Sequence, residues 1–583
     1  MVTTAVRRTP TVDEPVYVAT ATDCLRAHRL RYNPEHPPLG KLLIAAGVAV
    51  AGPRYDPAYH GGQGQVGRHL LYESGNDPWR LMLWARLPVI ALTLLTGLVV
   101  FVFARDLTST AGGLTALALY AFCPDVVAHG SLATLDAPAT GFVLASVWLV
   151  WRARCRPARY LPLAGAALGA AVATKMSALP AVPVLMALAA VSVAAARRSG
   201  PAVAPDASVR PSRPAVARPG PGGAPASPVR RRARVARLAL RSARVRIAHP
   251  ALRSARARVA RALCAPALSG RLAARRPVVA ALGGACVVAV VAVGIVWAAY
   301  LAVDPRLRFV PAEPVPAVHG ARAGLVELLP VPPAYRAGMR AQFGLERLPW
   351  RGYLFGHLYT GPRWYYLPVA LLVKTPLGLA ALGAAGAVAA AVRRRTRPAA
   401  PYLLLPPAVL LAAAMTGARN FGTRYALFVP VFLAVTAACA PVPGRRWAGP
   451  LGGALVLWAA VSSVRAFPYY LPYANEAFGG PARAHLLLHD SGVDWGQDLG
   501  RLAERLRERY PGERVWLVYK GSGVPSYYGI RAADPRTVAP DRVHGLLAVS
   551  DSAVATARGR LAGLLADSRP VGEVGHSITL YRR

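Results

Sequence analysis

RLMLWARLPVIALTLLTGLVVFVFA, residues 80–104, decides the fold class. Crossing about 30 Å of hydrocarbon takes about 20 mostly apolar residues, and this run supplies them with a single internal cation, Arg86. Nine further stretches read the same way: 113–129, 134–151, 159–174, 178–196, 277–303, 365–392, 400–416, 423–441 and 448–466. The shorter ones are tolerable inside a bundle. The composition agrees: 54% of the 583 residues are hydrophobic and 16% charged. The sequence therefore predicts an α-helical polytopic membrane protein.

A net charge of +42 suggests nucleic acid until its position is considered. Residues 197–276 hold twenty Arg and one acid, Asp206. Much of the remainder flanks the apolar runs, as the positive-inside rule expects, so no nucleic-acid partner is implied. Basic residues at 152–159, at 197–198 with the Arg-rich insert, at 393–397 and at 445–446 mark cytoplasmic connections. Alternating the spans between these anchors places residues 1–79, the turns 130–134, 175–177 and 417–422, the loop 304–364 and the tail 467–583 outside.

This gives five regions. Residues 1–79 form an external loop, with an interfacial helix over 42–51. Residues 80–198 are the first half of the bundle, and 199–276 the Arg/Pro/Ala-rich cytoplasmic insert. Its first part reads as a low-complexity linker, its second as basic helix or solvated loop. Residues 277–466 are the second half of the bundle. The tail 467–583 reads as a small external α/β domain, with helices over 497–509 and near 554–565 and strands over 515–519, 546–550 and 578–581. The six Cys show no CxxC spacing, so neither a zinc site nor a disulfide framework is indicated. Met1–Val12 has no apolar core and is not a signal peptide. An external residue 13 needs a spanning helix ahead of it, which predicts a start upstream of Met1.

The polar knots on the external side carry the chemistry. Asp13-Glu14 offers a carboxylate to take a proton from an attacking hydroxyl, or a helix N-terminus. Glu35-His36-Pro37-Pro38 offers a contact to an anionic leaving group or a metal, or a proline-fixed turn. Asp136 opens an apolar span, where a charge is costly unless it caps the helix or functions. Lys175, Lys374 and Arg86 lie at or inside span ends, as phosphate contacts or as snorkelling cations. His357 and Arg363, with Arg419 and Arg424, mix cations and aromatics on the same face, which suits sugar stacking beside phosphate or an ordinary aromatic belt. Asp494-Trp495, in a cluster of acids opening the tail, offers an acceptor-side site or a cap. Lys occurs only at 41, 175, 374 and 520, so each survives a drift toward Arg.

These knots, in order, resemble a family. TVDEPVYVAT, RYNPEHPPLGKLL, TLDAPATGF, ATKMSAL, WYYLPVALLVKTPL, FGTRYALFVPVF, YANEAFGGP and DSGVDWGQDLGRL are similar to motifs of bacterial GT-C membrane glycosyltransferases, relatives of protein O-mannosyltransferases and of the lipid A aminoarabinose transferase. The resemblance implies the GT-C architecture and inverting transfer of a sugar, mannose being the commonest in the family, from a polyprenyl-phosphate carrier. The acceptor would be a hydroxyl of a protein, glycolipid or polysaccharide on the outer face of the cell membrane. It implies Asp13 as the catalytic aspartate with Glu14 as its partner. Glu35, His36, Arg86, Asp136, Lys175, His357 and Arg424 become the substrate and phosphate side, and Asp494 and Trp495 the acceptor side. No cofactor is required, and a divalent metal is left open because Glu35 and His36 make no complete ligand set. The alternatives are a lipid-linked sugar flippase and a non-catalytic glycan-binding membrane protein. The Arg-rich insert and the missing helix ahead of Asp13 depart from the family pattern.

Overall fold

Asp77 starts the helix that the sequence places at 80–104. Its carboxylate accepts from the backbone N–H groups of Trp79 and Arg80, and Pro78 fills the first position, where no N–H is needed. In the computed structural model, which describes residues 1–198, 277–441 and 445–583, this helix runs Pro78–Leu107. Each of the other nine stretches also contains helix. Among the described residues, four helices are long and apolar enough to cross a membrane: Pro78–Leu107, Ala181–Arg198, Val278–Val303 and Arg397–Met415. Six qualify if each of two bent pairs counts as one span.

Those bends correct the ten-span reading. The stretch 365–392 is two helices, Tyr366–Lys374 and Leu377–Val392, meeting at 119°. The stretch 113–129 is Thr110–Ala121 and Pro124–Gly130, bent by 64°. Both breaks come just before a proline, Pro376 or Pro124, which removes a helical N–H and pushes the preceding residue to extended backbone. The stretch 423–441 keeps only Phe428–Ala437 as α-helix. The Arg-rich insert lies outside the described residues. Residues Met1–Ala196 and Ala281–Arg583 make one compact unit; the other, Arg197–Ala280, is almost wholly outside the described set.

Glycine sets how closely the helices approach. The helix Pro38–Ala51, read as interfacial over 42–51, packs on Pro78–Leu107 at Gly47, where a Cβ would stand 1.9 Å from the Trp84 carbonyl oxygen. Leu377–Val392 meets Phe428–Ala437 at Gly386, where a Cβ would stand 1.9 Å from the Thr436 carbonyl oxygen. Backbone cannot yield as a side-chain tip can. Gly386→Ala is expected to force these helices apart and cost on the order of 1–3 kcal/mol, as overpacking does, seen as a lower melting temperature in detergent with no change in expression.

The tail is the α/β unit expected. Numbering strands in chain order after the hairpin β1 Arg351–Leu354 and β2 His357–Thr360, its five-stranded sheet has the order β4-β3-β5-β7-β6, with β3 Val515–Val518, β4 Ala532–Ala533, β5 Leu546–Ser550, β6 Arg569–Val574 and β7 Ile578–Arg582. β3 is parallel to β4 and β5, and β7 is antiparallel to β5 and β6. The two-residue period of a strand sorts the core: Val515, Leu517, Leu546 and Ala548 pack with the helix Leu499–Arg509, while Trp516, Val518, Leu547 and Val549 pack with Leu561 and Leu564. The sequence reading missed β4 and the exposed β6.

Candidate active site

Residues 8–12 run along the loop 494–499. The N–H of Thr9 donates to the Gln497 carbonyl at 3.1 Å, and that of Val12 to the Trp495 carbonyl at 3.0 Å. The Thr9 hydroxyl donates to the Gly496 carbonyl and accepts from the N–H of Leu499, and the Ser522 hydroxyl donates to the Thr11 carbonyl. The same loop grips a second segment. The Ser491 hydroxyl donates to the Phe421 carbonyl, and Gly422, at φ +138°, lies so close that a Cβ would meet the Gly492 nitrogen at 2.8 Å. The motif DSGVDWGQD thus holds both the strand leading to Asp13 and the turn leading to Arg424.

The two meet. Arg424 Nη1 donates to Asp13 Oδ2 at 2.6 Å. Asp13 stands at the head of the helix Glu14–Arg26 but makes no side-chain cap, so its carboxylate is not serving that helix end. It is 29% exposed, whereas Arg424 is 8% exposed. The guanidinium lies 4.3 Å from the ring centroid of Trp495 and 4.9 Å from that of Tyr425. Lys175 pairs with Asp136 and lies 5.2 Å from the Tyr425 ring centroid. Arg424 is in the field of both Asp13 and Asp136. Asp13, Asp136, Lys175 and Arg424, drawn from four distant stretches of sequence, therefore form two ion pairs whose cations both lie against Tyr425.

His36 joins this group through Tyr17, their ring centroids 5.8 Å apart. Burial and then the charges of Lys175, Lys41, Arg419 and Arg424 hold its pKa well below the ordinary imidazole range. That environment favours the neutral imidazole of His36 over the cation. Its turn is built by Lys41, whose Nζ donates to the Asn33 and His36 carbonyls at 2.6 and 2.7 Å.

Other expected site residues stand elsewhere. Glu14 is fully buried and accepts five hydrogen bonds: two from Arg86 and two from Thr11, with the fifth from the Ala133 N–H. Arg86 uses all five of its N–H bonds, on the two Glu14 oxygens and the carbonyls of Ala5, Arg8 and Thr9. It has none left for a phosphate. Lys374 is likewise closed in by the Leu471 and Gly492 carbonyls and Asp125. Glu35 is held by Asn33 at 2.7 Å and faces a separate cavity. His357 is exposed on a hairpin, Arg351–Leu354 with His357–Thr360. Trp495 is buried beneath Arg424 rather than facing an acceptor. Among the described residues, no three His, Cys, Asp or Glu side chains gather in a metal-binding group.

Asp494, too, is buried, accepting from the N–H groups of Gly496 and Ser552. Burial pushes its pKa up to about 7, with Asp551 adding to the shift, against the lowering by those N–H groups. The native state then holds a proton that the unfolded chain releases near pH 4. The contribution to stability is full below the ordinary carboxylate range and falls as pH rises through 7. Protection factors of the β5 amides, with the intrinsic pH dependence of exchange divided out, are expected to fall between about pH 4 and 7, and Asp494→Asn to flatten that fall relative to the parent.

Residues 81–202 match the family described as dolichyl-phosphate-mannose-protein mannosyltransferase. The matched residues include Asp136 and Lys175 but stop short of Asp13, His36 and Arg424. Two solved structures cover 99% of this chain and 95% of their own: ArnT from Cupriavidus metallidurans in the apo state, at 13% identity and TM-score 0.43, and ArnT from the same organism bound to undecaprenyl phosphate, at 14% and 0.44. No curated protein matches.

The sequence reading did not anticipate that Tyr425 would be the hub, nor that 490–499 would be scaffold. Tyr425 sits beside Arg424 in a stretch already singled out. The scaffold role depends on backbone pairing between residues almost 490 apart, which no local pattern signals.

Proposed function

We propose that the protein transfers a sugar from a polyprenyl-phosphate carrier to a hydroxyl acceptor on the outer face of the membrane, with inversion. The observation that carries this is the Asp13–Arg424 pair: a partly exposed carboxylate on a guanidinium, next to the ammonium of Lys175. The phosphate of the carrier competes with Asp13 for Arg424 and is bound by Arg424 and Lys175, which releases the carboxylate. The acceptor oxygen then attacks the anomeric carbon and the carbon–oxygen bond to phosphate breaks, its electron pair leaving with the polyprenyl phosphate. Asp13 takes the hydroxyl proton. The cations stabilise charge growing on the leaving phosphate. One in-line displacement inverts the centre and calls for no carboxylate nucleophile. Mannose is the sugar to test first, because the matched family is described by it.

The test is incubation of membranes containing the full chain with labelled polyprenyl-phosphate sugars, followed by separation of protein, lipid and polysaccharide products. Label moving to an acceptor supports the reading, and donor crossing the bilayer unconsumed would replace it with the flippase. Arg424→Gln is expected to raise the donor KM at least tenfold, the scale of one lost charge-assisted hydrogen bond. An unchanged donor KM would remove Arg424 from the phosphate site.

A further inference from the structure

A cavity of about 190 Å³ lies behind the His36 turn, between residues 31–35 and the helix Pro333–Leu345. It is built rather than incidental. The N–H of Ala312 donates to the Arg31 carbonyl at 2.8 Å, and Gly338 abuts Pro34 so closely that a Cβ would meet its carbonyl oxygen at 2.1 Å. Asn33 adopts the left-handed conformation, φ +54°, which asparagine tolerates better than most residues. Its N–H donates to Gln63 Oε1 and its carbonyl accepts from Lys41.

Three acceptor oxygens on the lining side chains have no hydrogen-bond partner among the described residues. Asn33 is 5% exposed; its Nδ2 donates to Glu35 Oε1, while its Oδ1 is buried with no partner. Both hydrogen bonds to the Glu35 carboxylate go to Oε1, leaving Oε2 unused. Glu313 accepts only from the Gln63 N–H, through Oε1. The one lining cation, Arg31, is bound to Asp23 and Tyr55. Leu345, Leu348 and the prolines 314 and 316 form the apolar walls. The two buried acceptors, on Asn33 and Glu35, call for a ligand that brings donors, since an acceptor left unmet in a buried site is costly; Glu313 stands at the exposed rim. Carboxylate and amide oxygens beside apolar walls suit a ring of hydroxyls. The volume is below the roughly 300–1,000 Å³ of drug-sized sites, so it holds one ring.

We propose that this cavity is a subsite for a single monosaccharide ring of the acceptor. This rests on the sugar-transfer reading and deepens it: the acceptor is a glycan, with one ring seated against residues 31–35 beside the His36 turn. Asn33 and Glu35 are its hydrogen-bonding residues.

Saturation-transfer NMR on the full chain in lipid nanodiscs tests it, with methyl α-mannoside, methyl β-galactoside and glucosamine as one set of probes and polyprenyl phosphate as another. At least one ring is expected to receive saturation, to keep it in the presence of polyprenyl phosphate, and to lose it in Ala341→Phe, which fills the cavity. Asn33→Leu is expected to weaken the same signal about tenfold, the effect of one lost hydrogen bond to a charged network. Retained polyprenyl phosphate binding and melting temperature show that each variant is folded. If no ring binds while polyprenyl phosphate does, the subsite is wrong and the transferase reading stands. A ring displaced by polyprenyl-phosphate mannose but not by polyprenyl phosphate would assign the cavity to the donor sugar and overturn the proposal. If polyprenyl phosphate itself fails to bind, the transferase reading fails.

Discussion

Asp13→Asn is expected to lower sugar transfer by about 10²–10⁴-fold, the usual contribution of a positioned general base, while the protein folds and still binds polyprenyl phosphate. The two halves of this expectation have one cause. Asp13 is a partly exposed partner of Arg424, held by a single hydrogen bond at 2.6 Å and 29% exposed, and it supports no helix cap. Removing its charge takes an ion-pair partner from the buried Arg424, which stays in the field of Asp136, so a moderate loss of stability accompanies the much larger loss of transfer. It also removes the group with which a phosphate must compete for Arg424, so donor affinity is expected to hold or rise. Single-turnover transfer measured beside donor binding separates these effects. A variant that loses donor binding as steeply as transfer would make Asp13 a structural partner of Arg424 and leave the base unidentified. A variant with near-parental turnover would remove Asp13 from the chemistry.

Much of this was legible in the sequence, because it depends on local pattern or on charge placement. Length and apolarity marked the helices, and the short apolar runs Val515–Val518 and Leu546–Ser550 marked strands, which the structure places in a sheet covered on both faces. Charges embedded in apolar runs marked Asp136 and Lys175, now found paired. The rarity of Lys proved informative. Lys41 holds backbone carbonyls, while Lys175, Lys374 and Lys520 meet Asp136, Asp125 and Asp490. Each is a place where a compact ammonium is packed among acceptors that a broad guanidinium would have to displace. The bends before Pro124 and Pro376 were also within reach, since proline itself announces them, but continuous hydrophobicity outweighed it in the reading of spans. What could not be read was the division of labour within a motif. Asp13 and Glu14 are neighbours of the same chemical type, and only the closing of Thr11, Ala133 and Arg86 around the second separates them. Asp494 and Trp495 look like a binding surface in one dimension. Their burial follows from the strand 8–12 laid along them.

That division of labour leads to the opposite prediction for the adjacent residue. Glu14→Gln is expected to destabilise the protein by about 3–5 kcal/mol, the cost of leaving a buried charge without its partner, with folded yield lost before activity. The Gln amide keeps one oxygen but turns an NH₂ toward donors: the Thr11 N–H and hydroxyl, the Ala133 N–H and the guanidinium. Arg86→Lys fares no better. An ammonium has three N–H bonds where Arg86 uses five, so at least two acceptors among Glu14 and the carbonyls of Ala5, Arg8 and Thr9 go unmet. The paired change Glu14→Leu with Arg86→Leu is expected to cost less than either single charge removal, since it buries no lone ion. Detergent melting curves and size-exclusion profiles measure this, and transfer normalised to folded protein supplies the decisive contrast with Asp13. Neither side chain reaches the group around Tyr425, so turnover per folded molecule is expected to stay within a few-fold of the parent. A Glu14→Gln protein that melts like the parent yet transfers no sugar would reverse the assignment and make Glu14 the base, with Asp13 only the anchor of Arg424.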